Sequence, residues 1–253
     1  MTTKLDRVPP LLRAFAVLEQ VASGKQPLTL QEATAAAGLP KPTVHRMLAM
    51  LEHAGLVARE PDGKRVAPGP RLARLALVVL TNDAVRAPRR AILARLVDTV
   101  GETCNLTMLD GEQVLYLDRV ESAWPLRVTL QPGSRVPLHC TASGKLLLAL
   151  LPPARRARLL ARLPLPAHTP NTITSRSALE QELRQIRRER VALDREEYLA
   201  GLVCVAVPVA TSTRRVVASV AVHAPVMRMP LERALAHAPA LASAADALGE
   251  TFG

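Results

Sequence analysis

Gly38-Leu39-Pro40-Lys41-Pro42-Thr43-Val44-His45-Arg46-Met47-Leu48 is the stretch on which the reading of this chain turns. Gly38 suits the left-handed residue that closes a helix, and Pro40 and Pro42 are tolerated around the first turn of the next one. From Lys41 to Ala54, Val44, Met47, Leu48 and Leu51 recur at i, i+3, i+4 and i+7, which predicts a helix with one buried stripe. The remaining face carries Lys41, Thr43, His45, Arg46 and Met50, with its charge towards the N-terminal end.

Immediately upstream, Thr29-Leu30-Gln31-Glu32 has the spacing of a capping box. Its hydroxyl and carboxylate satisfy free amides at the start of a short helix through Ala33–Ala37. Further back, Leu11, Phe15, Leu18 and Val21 predict an amphipathic first helix ending near Ser23-Gly24. Downstream, Leu56–Arg59 and Lys64–Ala67 flank Glu60-Pro61-Asp62-Gly63, a hairpin signal.

Three helices followed by a basic hairpin define a winged helix-turn-helix. In such a unit the N-terminal residues of the third helix enter the major groove, while its C-terminal part is held by the core. Arg46 and Thr43 are expected at bases or phosphates, His45 and Lys41 in support, and Lys64 or Arg65 on the backbone. Helix turns with glycine also occur in plain three-helix scaffolds. The wing and the basic face of the third helix favour double-stranded DNA.

Composition agrees with that direction. The net charge is +11, of which +5 lies in residues 1–82 and +6 in residues 83–253, so nucleic acid or an anionic surface is a natural partner. An aromatic content of 2% argues against a single-strand binder built on stacking platforms. Cys104, Cys140 and Cys204 are odd in number and lack CxxC spacing, which points to a reducing compartment rather than a disulfide framework. The apolar runs Leu75–Leu80 and Leu146–Leu151 are too short to span a bilayer, and no signal-peptide core opens the chain. A soluble cytoplasmic protein is expected, with no membrane partner and no cofactor.

Two chemical motifs are weaker. Gly144-Lys145 is no phosphate loop, because His139 stands where the upstream glycine belongs and Leu146 where Ser or Thr belongs. His139-Cys140 contains metal-ligand types, but adjacent side chains on an extended segment point apart, so no metal site is expected.

Pro70–Asn82 reads as a linking helix whose Leu72, Leu75 and Val79 form a packing or dimer surface. Beyond it, Asn105–Leu109 and Gln113–Asp118 form a hairpin about Asp110-Gly111. Ser177-Ala178-Leu179-Glu180 is read as a second capping box, opening the helix that contains Leu183 and Ile186. Gly201–Ala210 and Arg215–Ala224 are strands joined by Thr211–Arg214, and Leu231–Leu248 is a closing helix. This mixture predicts an α+β domain with an antiparallel sheet. Strand alternation puts Leu202, Cys204 and Ala206 on one face, and Ser219, Ala221 and His223 on one face of the next strand.

The Gly38–Leu48 segment, with Leu51-Glu52 and Gly55-Leu56-Val57, resembles the recognition segment of IclR-family transcription regulators. Gly101–Leu106, Leu115–Val120, Thr141–Lys145 with Leu148-Ala149, Asp194–Tyr198 and Gly201–Pro208 likewise resemble that family's effector domain. The resemblance implies a winged helix-turn-helix at 1–68, a linker helix at 69–82, and a GAF-like effector-binding and oligomerisation domain at 83–253. It further implies a homodimer or dimer of dimers on a pseudo-palindromic operator, with repression the favoured sign. A small-molecule effector is implied at Ala142, Ser143, Asp194, Leu202, Cys204, Ala221 and His223.

Four departures stand out. Pro42 replaces a common serine, Arg190-Val191 a common Gly-aromatic pair, and Ala67-Pro68-Gly69 the usual end of the wing. Ala221 and His223 replace hydroxyl residues, which points to an effector larger or more apolar than a two- or three-carbon keto acid, such as an aromatic or other organic acid. Two rival functions accompany this reading. Cys204, His223 and Asp194 contain the residue types of a thiol enzyme, and a basic chain can also be a non-sensing architectural DNA binder.

Overall fold

The computed structural model describes residues 8–24, 26–124 and 130–252 and divides into two compact units, 1–80 and 81–253. In the first unit, α1 (Pro10–Ser23), α2 (Leu30–Ala37) and α3 (Lys41–His53) are accompanied by β1 (Leu28–Thr29), β2 (Val57–Arg59) and β3 (Arg65–Pro68). The helix α4 (Pro70–Thr81) follows. The strands form an antiparallel sheet in the order β1-β3-β2.

Local chemistry explains most of these boundaries. The Thr29 hydroxyl accepts the Glu32 amide at 3.2 Å, and Glu32 Oε2 accepts the Thr29 amide at 2.7 Å, so the expected capping box is complete. It starts α2 at Leu30, earlier than the Ala33 read from the sequence. Gly38 closes that helix with φ 61°. The stripe Val44, Met47, Leu48 and Leu51 is buried against Val17, Leu18, Val21, Ala33, Ala37 and Val66.

The first helix departs from expectation. Leu18 and Val21 are buried, but Leu11 is 78% and Phe15 56% exposed, and Val17 takes their place in the core. The stripe that faces α3 is therefore rotated from the one spelled by Leu11 and Phe15. The end of the wing is settled by packing. A Cβ on Gly69 would stand 2.4 Å from the Gly55 carbonyl oxygen, so only glycine fits where the chain leaves the wing for α4.

In the second unit, α5 (Asp83–Val100) precedes the hairpin β4 (Thr103–Asp110) and β5 (Gln113–Val120). Then come β6 (Arg135–Pro137), α6 (Ala142–Ala149), α7 (Pro153–Arg162), α8 (Arg176–Glu189) and β7 (Ala192–Arg195). The chain ends with β8 (Leu202–Ala210), β9 (Val216–Pro225), α9 (Leu231–Ala236) and α10 (Ala238–Glu250). Six antiparallel strands run in the order β6-β5-β4-β9-β8-β7. The helices α5 and α10 contact one another and strands of the sheet, while α6 lies against β7, β8 and β9 and packs on α8. The α+β class and the antiparallel sheet are as expected.

Two helix ends differ from the sequence reading. The helix α8 opens at Arg176 behind Ser175, and no side chain caps it, because the Ser175 and Ser177 hydroxyls bond each other at 2.8 Å. The box at Ser177–Glu180 does not form. The closing helix is broken at His237 into α9 and α10. Pro239 lies in the first turn of α10, where it lacks the amide that a continuous helix requires.

Candidate nucleic-acid interface and ligand face

On α3 the residues expected at DNA stand outward. Lys41, His45 and Arg46 are exposed and Thr43 is half-buried, while the alternate face is locked in the core. The wing is braced to this helix. Arg59 on β2 donates from Nε to both carboxylate oxygens of Glu52 on α3, at 2.9 and 3.1 Å, and from Nη1 to the Gly63 carbonyl at the wing tip. At that tip, Asp62 Oδ1 accepts the backbone amides of Lys64 and Arg65 at 2.9 and 3.1 Å. These bonds tighten the turn and leave both basic side chains exposed.

The second candidate site lies in the other unit, on the face of the six-stranded sheet covered by α6. Asp194 on β7 pairs with Cys204 on β8, which pairs with His223 on β9, so three neighbouring strands bring these residues into one row. Ala221 pairs with Ala206 two residues along, and Leu202 has the same strand phase as Cys204. At the head of α6, Ala142 joins the apolar cluster containing Ala206, Ala221 and Cys204. The Ser143 hydroxyl accepts from Ser219 Oγ at 3.2 Å. The seven residues named from the sequence thus lie on, or against, one face. Cys204, flanked by strands on both sides, packs against the apolar cluster beneath α6.

Lys145 joins the pieces of this face. Its ammonium is fully buried, forms a short ion pair with Glu197, and reaches Glu182 Oε1 at 3.2 Å. The Glu197 amide in turn donates to Asp194 Oδ1 at 2.7 Å. A Cβ on Gly144 would meet the Leu138 carbonyl oxygen at 2.4 Å, which lets the start of α6 sit directly on the preceding segment. Burial pushes the Asp194 carboxyl up to about 7 despite the Glu197 and Tyr198 amides that favour its anion.

Sequence reasoning gave no pocket role to Asn105 and Arg119. Asn105 pairs with both Ala221 and Arg119, so these two polar residues extend the same face. Arg119 is only 5% exposed; it donates to Glu121 at 3.2 Å and to Asn105 Oδ1 at 3.3 Å. His223 Nδ1 lies 2.7 Å from Asn105 Nδ2, and its Nε2 lies 3.4 Å from Arg119 Nη1. Burial, with the Arg119 charge adding, pulls this imidazole down to about 3, so it is neutral. A neutral imidazole offers one acceptor to the two donor groups facing it. The signal available in sequence was the common strand phase of Asn105 and Thr107, but pairing β4 to β9 required the fold.

The row Asp194–Cys204–His223 lacks the polarisation of a thiol triad. Burial raises the Cys204 thiol well above its usual range, with Asp194 adding to the shift. A nucleophilic cysteine needs the opposite shift.

His139 and Cys140 overturn one geometric expectation. Residues 138–140 form bends rather than a strand, and among the described residues the ligand atoms of His139, Cys140 and His168 all lie within 4.8 Å of one another. Adjacent side chains here converge because the backbone turns between them.

A winged helix-turn-helix joined in one chain to an α+β unit with a polar-lined sheet face defines the ligand-responsive class of DNA-binding transcription regulators. Residues 10–61 match the IclR helix-turn-helix domain, and residues 77–250 match the bacterial transcriptional regulator IclR C-terminal domain. The chain belongs to the IclR family of bacterial transcriptional regulators. It is 49% identical to the probable transcriptional regulator SauR of Cupriavidus necator, over 95% of this chain and 96% of that protein. It is 29% identical to the transcriptional repressor IclR of Escherichia coli, over 90% and 84% of the two chains. Among solved structures, an IclR homologue from Microbacterium hydrocarbonoxydans complexed with 4-hydroxybenzoate aligns with a TM-score of 0.60 at 27% identity, covering 96% of this chain and 99% of that one.

Proposed function

We propose that this protein is a cytoplasmic dimeric repressor whose operator affinity is set by an organic acid. The observation that carries DNA reading is the division of α3: Lys41, His45 and Arg46 face outward while Val44, Met47, Leu48 and Leu51 anchor the helix. We assign base or phosphate contact to Arg46 and Thr43, support to Lys41 and His45, and backbone contact to Lys64 and Arg65. A repressor sign is favoured by the likeness to the repressor IclR. No helix among the described residues is long and apolar enough to cross a membrane.

Dimerisation is supported by the apolar side chains that the first unit leaves outside. These are Leu11, Leu12 and Phe15 on α1 and Leu75, Val78 and Val79 on α4. Such surface on a soluble unit marks an interface, and a two-fold dimer presents two recognition helices to half-sites one helical turn apart. The domain limits we adopt are 1–68, 69–82 and 83–253.

For the effector, the face shared by Asn105, Arg119, His223, Cys204 and Asp194 offers polar groups, with the Arg119 charge already paired to Glu121. Ala221 in place of a hydroxyl removes a polar contact from this face, which favours a body more apolar than a small keto acid, and the homologue holding 4-hydroxybenzoate makes aromatic acids the first series to test. The acid changes operator affinity only by binding the two conformations unequally.

The test is fluorescence anisotropy on DNA from the gene's own upstream region, with excess random competitor, for wild type and Arg46→Ala. Competitor-resistant binding that weakens by about 1–3 kcal/mol in the variant is expected. Binding that competitor removes equally from both proteins would show that this helix does not read the fragment.

A further inference from the structure

We propose that His139, Cys140 and His168 form a binding site for a borderline-soft divalent cation of the zinc class, with a fourth coordination position open to solvent. Three ligand atoms of suitable type lie within 4.8 Å of one another. Bonds of about 2.0–2.3 Å to zinc put neighbouring tetrahedral donors roughly 3.3–3.8 Å apart. The remaining adjustment is small, and His168, the exposed member, is free to make it.

The surroundings match what a metal-binding histidine needs. His139 is buried, and its Nε2 donates to the Pro166 carbonyl at 2.9 Å, which leaves the Nδ1 lone pair as the ring's ligand. A backbone carbonyl holding the second ring nitrogen is the usual outer partner of such a ligand. Around His168, the Thr172 hydroxyl accepts the His168 and Thr169 amides at 3.0 and 2.9 Å and donates to the Glu197 carbonyl at 2.6 Å. The loop is thereby tied down before any ion arrives. Two rings flank one another across the cluster, with His139 and His168 centroids 5.8 Å apart, and Tyr198 packs edge-on to His168 at 5.3 Å.

The charge balance admits a cation. The ammonium nearest the cluster, Lys145, is compensated by Glu197 and Glu182. Cys140 is a free, buried thiol. On binding, the metal takes the thiolate and the proton passes to solvent. A cavity of about 460 Å³ is lined by His139 and His168, with Arg135, Leu163 and Pro166, so two of the three ligands border space that water or a small ligand can enter. Two nitrogens and one thiolate with an open place suit zinc, and Co²⁺ is its spectroscopic stand-in.

The test is titration of the full chain, without a polyhistidine tag and with its thiols reduced, using Co²⁺ and then Zn²⁺. Stoichiometric Co²⁺ should give thiolate-to-metal charge transfer and the strong visible bands of a four-coordinate site, and Zn²⁺ should displace both. Cys140→Ser should lose the charge-transfer band, and His168→Ala should weaken binding by at least about tenfold while keeping the wild-type melting temperature, because its side chain is exposed. Cys104→Ser and Cys204→Ser should leave the spectrum unchanged. No charge transfer at stoichiometric Co²⁺, or a spectrum and affinity unaltered by both Cys140→Ser and His168→Ala, would overturn the site.

Discussion

Cys204 and His223 stand directly opposite each other on β8 and β9, yet the imidazole is held by Asn105 and approached by Arg119. Proximity in a row therefore does not make this a nucleophile and its base. The same row couples two groups whose ionisation burial has moved in opposite senses: Asp194 upward and His223 downward.

That opposition gives a pH dependence with a definite sign. Asp194 holds its proton in the folded chain up to about 7, against 3.8 when unfolded, so its contribution is fully present below about 4 and is lost as pH rises to about 7. His223 behaves oppositely: its contribution is present above 6.5 and is lost as pH falls towards about 3. Asp194→Asn removes the first effect alone. Urea unfolding at stepped pH should show the variant gaining on wild type between about pH 4 and pH 8. A constant difference across that range would mean Asp194 is not held protonated.

The exposed side chains of α1 predict an assembly. Leu11→Glu combined with Phe15→Glu alters residues outside the core, so the fold should persist. Burial of an apolar side chain of this size is worth roughly 1.5–3 kcal/mol. Dimer dissociation should therefore rise by more than about a hundredfold in sedimentation velocity. An unchanged dimer would place the interface elsewhere.

At the wing, Lys64 and Arg65 are held outward by the Asp62 turn. Replacing either with alanine should weaken operator and random DNA alike and lower the salt slope by about 1. Affinity measured across a salt series decides this. A loss confined to the operator would instead assign base reading to the wing.

Arg190 closes α8 in the left-handed region, with φ 57°, where the side chain costs energy that glycine avoids. Arg190 is exposed and its position is the one where a glycine was expected from resemblance. Arg190→Gly should raise stability by about 0.5–1 kcal/mol, read from the urea midpoint. A loss would show that the arginine makes a compensating contact.

Much of the first unit was legible in sequence because its determinants are local. The Thr29–Glu32 box, Gly38 and the Val44–Leu51 stripe act over single helical turns, and the Asp62-Gly63 turn sets its own hairpin. The strands and their side-chain phases followed equally from alternation, which is why Cys204 and His223 could be put on facing sets.

What alternation cannot specify is which strand lies beside which. Only the pairing of β4 between β5 and β9 brings Asn105 and Arg119 to His223, and only the buried Lys145 draws Glu197 and Asp194 to α6. The same limit applies to α1, where helical spacing marks apolar residues but not the side that faces α3. It applies again to His139, Cys140 and His168, which are separated in sequence and meet because the backbone bends at 138–140 and the loop at His168 folds back. Caps and periodicities are short-range free energies that a sequence displays directly. Register, partner choice and the meeting of distant side chains are set by burial over the whole domain, and so belong to the tertiary structure.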